Sequence, residues 1–118
     1  MKEEELKKRT KDFALEVIRL VEKLPKNYVA DILGRQILKS GTSIGANYRA
    51  ARRARSRADF ISKLGIVEEE SDETLYWLEL LIAIKLIEQN IFQRLTKEAN
   101  EIIAIVVTSI KTARGNQR

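Results

Sequence analysis

The stretch EEELKKRTKDFALEVIRLVEKL, residues 3–24, decides the fold. Leu6, Thr10, Phe13, Val17, Leu20 and Leu24 recur at alternating intervals of four and three residues. That spacing keeps one stripe of a helix turned toward a nearly parallel or antiparallel neighbour. Ala14 and Val21 widen the stripe. Pro25 ends the segment, because it lacks an amide hydrogen and disfavours helical geometry at Leu24.

The same rhythm returns three times further along the chain. Residues 28–55 carry it through Leu33, Ile37, Ser40, Ile44, Asn47, Ala51 and Ala54. Ser56, with Asp59 three residues on, predicts the cap of a third helix over 57–88, whose seam is Phe60, Leu64, Val67, Ser71, Thr74, Leu78 and Leu81. Asn90 with Gln93, or else Thr96, is expected to cap a fourth helix over 92–114. Its seam is Leu95, Ala99, Ile102, Val106, Ile110 and Ala113, and Gly115 is expected to close it. Period-two alternation is nearly absent, and the one β-prone run, Ile102–Val107, lies inside the fourth seam. The expectation is an all-α chain forming a single domain, 1–118, folded as an antiparallel up-down-up-down four-helix bundle.

Composition narrows the function. The chain's 118 residues suit one domain, and it has neither cysteine nor histidine. Disulfides, Cys/His zinc sites, haem ligation and proton transfer through histidine are therefore excluded. The charged start is unlike a signal peptide, and no window has the apolar length of a membrane span. A cytoplasmic protein making no membrane contact is expected. Two stretches are apolar nearly all round: Leu75–Ile87, where only Glu79 and Lys85 are charged, and Ile102–Val107. A second buried face, supplied by another copy, would cover them, so a homo-oligomer is expected.

The net charge of +5 is concentrated in one place. Arg49, Arg52, Arg53, Arg55, Arg57 and Lys63 are opposed locally only by Asp59, so this segment accounts for the whole excess. Arg49, Arg52 and Arg53 share a helix face, and Arg55 and Arg57 bracket the turn. Guanidinium groups match phosphate oxygens bidentately. Only Tyr48 interleaves with them, so contact with RNA or DNA backbone is expected rather than base stacking. The competing reading is that these arginines keep an apolar oligomer soluble or bridge to acidic neighbours.

The remaining constellations are weaker. The run Gly41-Thr-Ser-Ile-Gly45 lacks the spacing and lysine of a phosphate-binding loop. Glu70 and Glu73 share a helix face, where two carboxylates can share a proton or hold a hard cation, but such pairs are more often salt-bridge acceptors or a solvated face. The acidic run Glu68–Glu73 has the same two readings, a solvated face or a complement to another subunit's basic surface. No catalytic residue, metal site or cofactor is expected. Gly41 and Gly45 allow a neighbouring helix to come close. If helices two and three are antiparallel about Ser56, Gly41 faces the neighbourhood of Glu73, and the close crossing makes room for Trp77. Ser40, Asn47, Ser71 and Thr74 then need polar partners, which Glu70 or Glu73 can supply.

The block Gly34–Arg49 (GRQILKSGTSIGANYR), followed by Ser56, Asp59–Leu64, Glu70 and Glu73–Leu78, resembles the bacterial four-helix-bundle family encoded in intervening sequences of 23S rRNA genes. The likeness runs from about Phe13 into the fourth helix. It implies a ring-like homopentamer with no established enzymatic activity. A related branch, the accessory proteins of diversity-generating retroelements, implies nucleic acid and a reverse transcriptase as partners. Ala50 departs from the pattern, since a glutamate often follows Asn-Tyr-Arg in the family. On this resemblance Arg35, Ser40, Gly41, Ser43, Gly45, Asn47, Ser56, Glu70, Glu73 and Trp77 are assigned to fold and assembly. The resulting expectation is a non-catalytic oligomeric bundle whose arginine patch binds structured RNA or other nucleic acid. The alternative is a protein-interaction scaffold or an accessory subunit of a retroelement reverse transcriptase.

Overall fold

A computed structural model describes residues 3–115. Among them four helices follow one another: α1 (Glu3–Glu22), α2 (Tyr28–Arg52), α3 (Arg57–Ala83) and α4 (Gln89–Gly115). Each packs against its neighbour in sequence, and α1 and α4 meet more loosely to close the bundle. The result is a rod of 51 × 22 × 21 Å, its length set by helices rising about 1.5 Å per residue. No helix among the described residues is long and apolar enough to cross a membrane.

The four-and-three spacing is the core. Leu6, Thr10, Phe13, Val17 and Leu20 of α1 are buried, as are Leu64, Val67, Ser71, Thr74, Leu78 and Leu81 of α3 and Leu95, Ala99, Ile102, Val106 and Ile110 of α4. Each fully buried Leu, Ile, Val or Phe contributes about 1.5–3 kcal/mol relative to exposure. The hydroxyls inside the seam bond mostly to backbone one turn back. Ser71 Oγ donates to the Val67 carbonyl and Thr74 Oγ1 to the Glu70 carbonyl, both at 2.8 Å, while Asn47 Nδ2 donates to the Ser43 carbonyl at 2.9 Å. Ser40 and Thr74 hydroxyls are bonded across the α2–α3 interface at 2.8 Å. That is the register antiparallel pairing about Ser56 requires. The Glu70 and Glu73 carboxylates, expected as partners for these groups, are not used for them.

Helix boundaries follow capping chemistry. Asn27 accepts from the Ala30 amide at 2.9 Å to start α2, and Ser56 accepts from the Asp59 amide at 3.0 Å to start α3. The last turns of α1 and α2 tighten through bonds from Leu24 N to the Val21 carbonyl and from Ala54 N to the Ala51 carbonyl, so these helices stop at Glu22 and Arg52 rather than at 24 and 55. α3 stops at Ala83, short of the expected 88. Leu86 N bonds to the Leu81 carbonyl and Lys85 N to the Ile82 carbonyl, a Schellman closure with Lys85 left-handed at φ 63°. Leu86 and Ile87 then turn inward onto the core. α4 starts at Gln89, its first bond running from Phe92 N to the Glu88 carbonyl. Asn90 and Thr96 therefore lie inside the helix and do not cap it. Gly115 is the last residue of α4 and has no positive φ, so it is not the left-handed cap expected.

The glycines of α2 face α1, not α3. A Cβ on Gly41 would lie 2.9 Å from Val17 Cγ2, and one on Gly45 would lie 3.2 Å from Thr10 Oγ1. The close crossing therefore joins the first two helices and makes no room for Trp77. α2 is buried on two sides, with Ser40 and Thr74 marking the α3 side and the glycines the other.

Candidate nucleic-acid interface

Up-down-up-down topology brings the start of α1, the end of α2, the start of α3 and the end of α4 to one end of the rod. The six basic residues singled out in the sequence lie at that end. Arg49, Arg53 and Arg55 are exposed and form no ion pair among the described residues. Arg57, also exposed, opens α3. Lys63 Nζ is 3.6 Å from Asp59 Oδ1, one turn away on α3. Arg52 is engaged twice: its guanidinium pairs with the Glu3 carboxylate and lies 5.7 Å from the centroid of the Phe60 ring.

The sequence set only Asp59 against this patch, and the fold adds Glu3 and Glu4. With Lys7, Arg49, Arg52 and Arg53 they line one cleft between α1 and α2. The signal was available, because an antiparallel bundle must bring the acidic first turn of α1 beside the basic last turn of α2. Arg114 and Lys111, near the end of α4, line a second cleft with Ile61, Gly65 and Glu68.

The aromatic residues near the patch are not presented for stacking. Tyr48 is 5% exposed, with its hydroxyl 3.5 Å from the Glu3 carbonyl. Burial pushes that hydroxyl above its ordinary pKa, against the lowering charge of Arg52. Phe60 is half-buried beneath Arg52. The exposed Tyr28 opens α2 at the other end, and Tyr76 lies toward the far end of α3.

Two arginines away from that end, Arg9 of α1 and Arg94 of α4, are ion-paired across the seam between those helices. Arg9 reaches Glu98 through Nε at 2.8 Å and Nη2 at 2.5 Å, and reaches Glu101 at 2.8 Å, which holds its pKa above the ordinary value. Arg94 Nη2 pairs with Glu16 at 2.7 Å. These pairs stitch the loose α1–α4 seam.

Glu70 and Glu73 lie one turn apart on α3. Glu70 is half-buried, its pKa raised by burial first and then by the Glu73 charge, with Lys39 opposing. Glu73 is exposed, and no group of three or more carboxylates among the described residues is placed to hold a metal ion. Trp77 is half-buried, its ring centroid 5.1 Å from that of Tyr76, and its Nε1 is buried without a hydrogen-bond partner.

Fold and site together define a small antiparallel four-helix bundle with one basic end. Residues 2–108 match the family described as 23S rRNA-intervening sequence protein, and the chain belongs to that family. A solved structure similar to it is a protein of unknown function from the S23 ribosomal protein family of Bacteroides thetaiotaomicron VPI-5482. That protein is 40% identical, with a TM-score of 0.86 over 94% of this chain and 99% of the other. No curated protein matches the chain.

Proposed function

We propose that the basic end of this bundle binds the phosphate backbone of structured RNA, and that copies associate into a ring that repeats the patch. The observation carrying this reading is that Arg49, Arg53 and Arg55, clustered at one end of the bundle, are exposed without ion-pair partners among the described residues. With no exposed aromatic beside them, the ligand is read by shape and charge, through counterion release at phosphates. Several weak copies of one site on a ring raise the overall affinity.

Association is supported by exposed apolar side chains. Tyr28 is 81% exposed, Val29 53% and Ile32 43% at the start of α2, and Ile84 is 46% exposed at the end of α3. These residues also favour the second reading, a protein partner. A basic bundle with an apolar end suits an accessory subunit of a diversity-generating retroelement reverse transcriptase.

Fluorescence anisotropy with a labelled RNA duplex across a salt series tests the first reading. Three guanidinium–phosphate contacts give a log–log slope of roughly −3 per copy. Arg53→Glu with Arg55→Glu, both exposed and outside any ion pair among the described residues, abolishes binding while leaving the melting curve intact. No binding at low salt refutes the reading, and co-purification with a reverse transcriptase then supports the alternative. Light scattering on the same preparation reads the subunit number, for which the ring reading requires several copies.

A further inference from the structure

The arginine patch holds a ligand of its own, the first turn of α1. Glu3, Glu4 and Glu5 open that helix and are exposed. Glu3 does not point into solvent alone: its carboxylate is on the Arg52 guanidinium, and Glu4 lines the same cleft as Arg49 and Arg53. A carboxylate and a phosphate use the same fork of guanidinium hydrogens, so they compete for it. The side chains of the Glu3–Arg52 pair remain 60% and 36% exposed, which leaves the pair accessible and weak. Arg52 also stays against the Phe60 ring, so its guanidinium remains positioned when the carboxylate departs.

We infer that the acidic first turn of α1 is a displaceable competitor that gates the patch, a reading that rests on the phosphate-binding role proposed above. The consequence is selectivity. A lone phosphate monoester meets Arg52 already neutralised and gains little by exchanging with Glu3. A polynucleotide backbone that engages Arg49, Arg53 and Arg55 at once has enough additional contact to displace the carboxylate. The gate therefore favours extended polyphosphate backbones over free phosphates and nucleotides.

Anisotropy titrations of the full chain with a fluorescein-labelled RNA duplex of about two helical turns test the gate. Glu3→Gln with Glu4→Gln should tighten binding roughly twofold to fivefold, the range expected for an exposed ion pair. It should also steepen the log–log salt slope by about one, because Arg52 becomes an additional phosphate contact. Glu22→Gln with Glu88→Gln, exposed and unpaired among the described residues at the opposite end of the bundle, makes the same change in net charge and should fall short of that gain. Melting curves confirm that each variant retains the bundle. If the wild-type chain binds, the Arg53→Glu/Arg55→Glu variant does not, and Glu3→Gln/Glu4→Gln matches wild type, the gate is refuted while the phosphate-binding reading stands. Equal tightening by the two Gln pairs refutes it as well, since the effect is then global charge. If wild type and Glu3→Gln/Glu4→Gln both fail to bind at low salt, gate and phosphate-binding reading fall together.

Discussion

Gly41→Ala and Gly65→Ala make the same chemical change in the interior of two helices, and the structure requires opposite signs. In a helix interior alanine is about 1 kcal/mol better than glycine, so each substitution begins with that gain. At Gly65 a new Cβ meets nothing within 4 Å, and the gain is kept. At Gly41 it meets Val17 Cγ2 at 2.9 Å, Cγ1 at 3.0 Å and Cβ at 3.2 Å. Val17 is fully buried and β-branched, with one strongly preferred rotamer, so it cannot swing aside. Relief requires α1 and α2 to separate, and overpacking of this kind costs about 1–3 kcal/mol. The net expectation is that Gly41→Ala is about 1 kcal/mol less stable than wild type and Gly65→Ala about 1 kcal/mol more stable. Urea unfolding at a fixed protomer concentration reads both, the fixed concentration removing any contribution from association. If Gly41→Ala stabilises as much as Gly65→Ala, the close α1–α2 crossing is wrong.

Lys85 occupies the left-handed position that closes α3, where glycine carries no Cβ penalty. Lys85→Gly is expected to stabilise the fold by about 1 kcal/mol, a difference urea unfolding detects. A loss of stability would show that the side chain contributes more than the backbone strain. Glu70 gives a pH-dependent expectation. Its folded pKa lies above the ordinary 4.5, so in that window the folded state binds more protons than the unfolded one. Stability from this group therefore falls as pH rises through the window, and the charged form is the less favourable one near pH 7. Glu70→Gln should raise the melting temperature near neutral pH, with the advantage vanishing below the ordinary carboxylate range. An advantage independent of pH would refute the burial account.

The seams were legible because side-chain spacing is a property of one helix at a time. Val17, Val67 and Val106 are each fully buried where the four-and-three rhythm places them. The Ser56 cap was legible for the same reason, since its partner Asp59 is three residues away. What failed depended on a choice between neighbours. Gly41 and Gly45 each follow a seam residue, Ser40 and Ile44, and lie about 100° further round α2. They consequently address α1 while the seam addresses α3, a distinction a single periodicity does not make. The end of α3 was illegible for a different reason. A lysine occupies the position where glycine would have announced the stop, and the closure is driven by Leu86 and Ile87 returning to the core.

The same separation bears on the arginines. Arg49 and Arg52 lie in the last turn of α2, and Arg114 in the last turn of α4, where cations complement the helix dipole. Glu3, Glu4, Glu5 and Asp59 lie in first turns, where carboxylates do so. The alternating topology then mixes these acids and bases at one end as a consequence of helix stability. That accounts for Arg49 and for Arg52 beside Glu3, but it does not account for Arg55 and Arg57. Arg55 belongs to no helix, and Arg57 occupies the first turn of α3, where a cation faces the positive end of the dipole. Neither position is explained by a dipole, and the case for an external anion is strongest at Arg55, which is exposed and forms no ion pair among the described residues. Arg52 alone, held by Glu3 and Phe60, would serve the fold whether or not RNA ever bound.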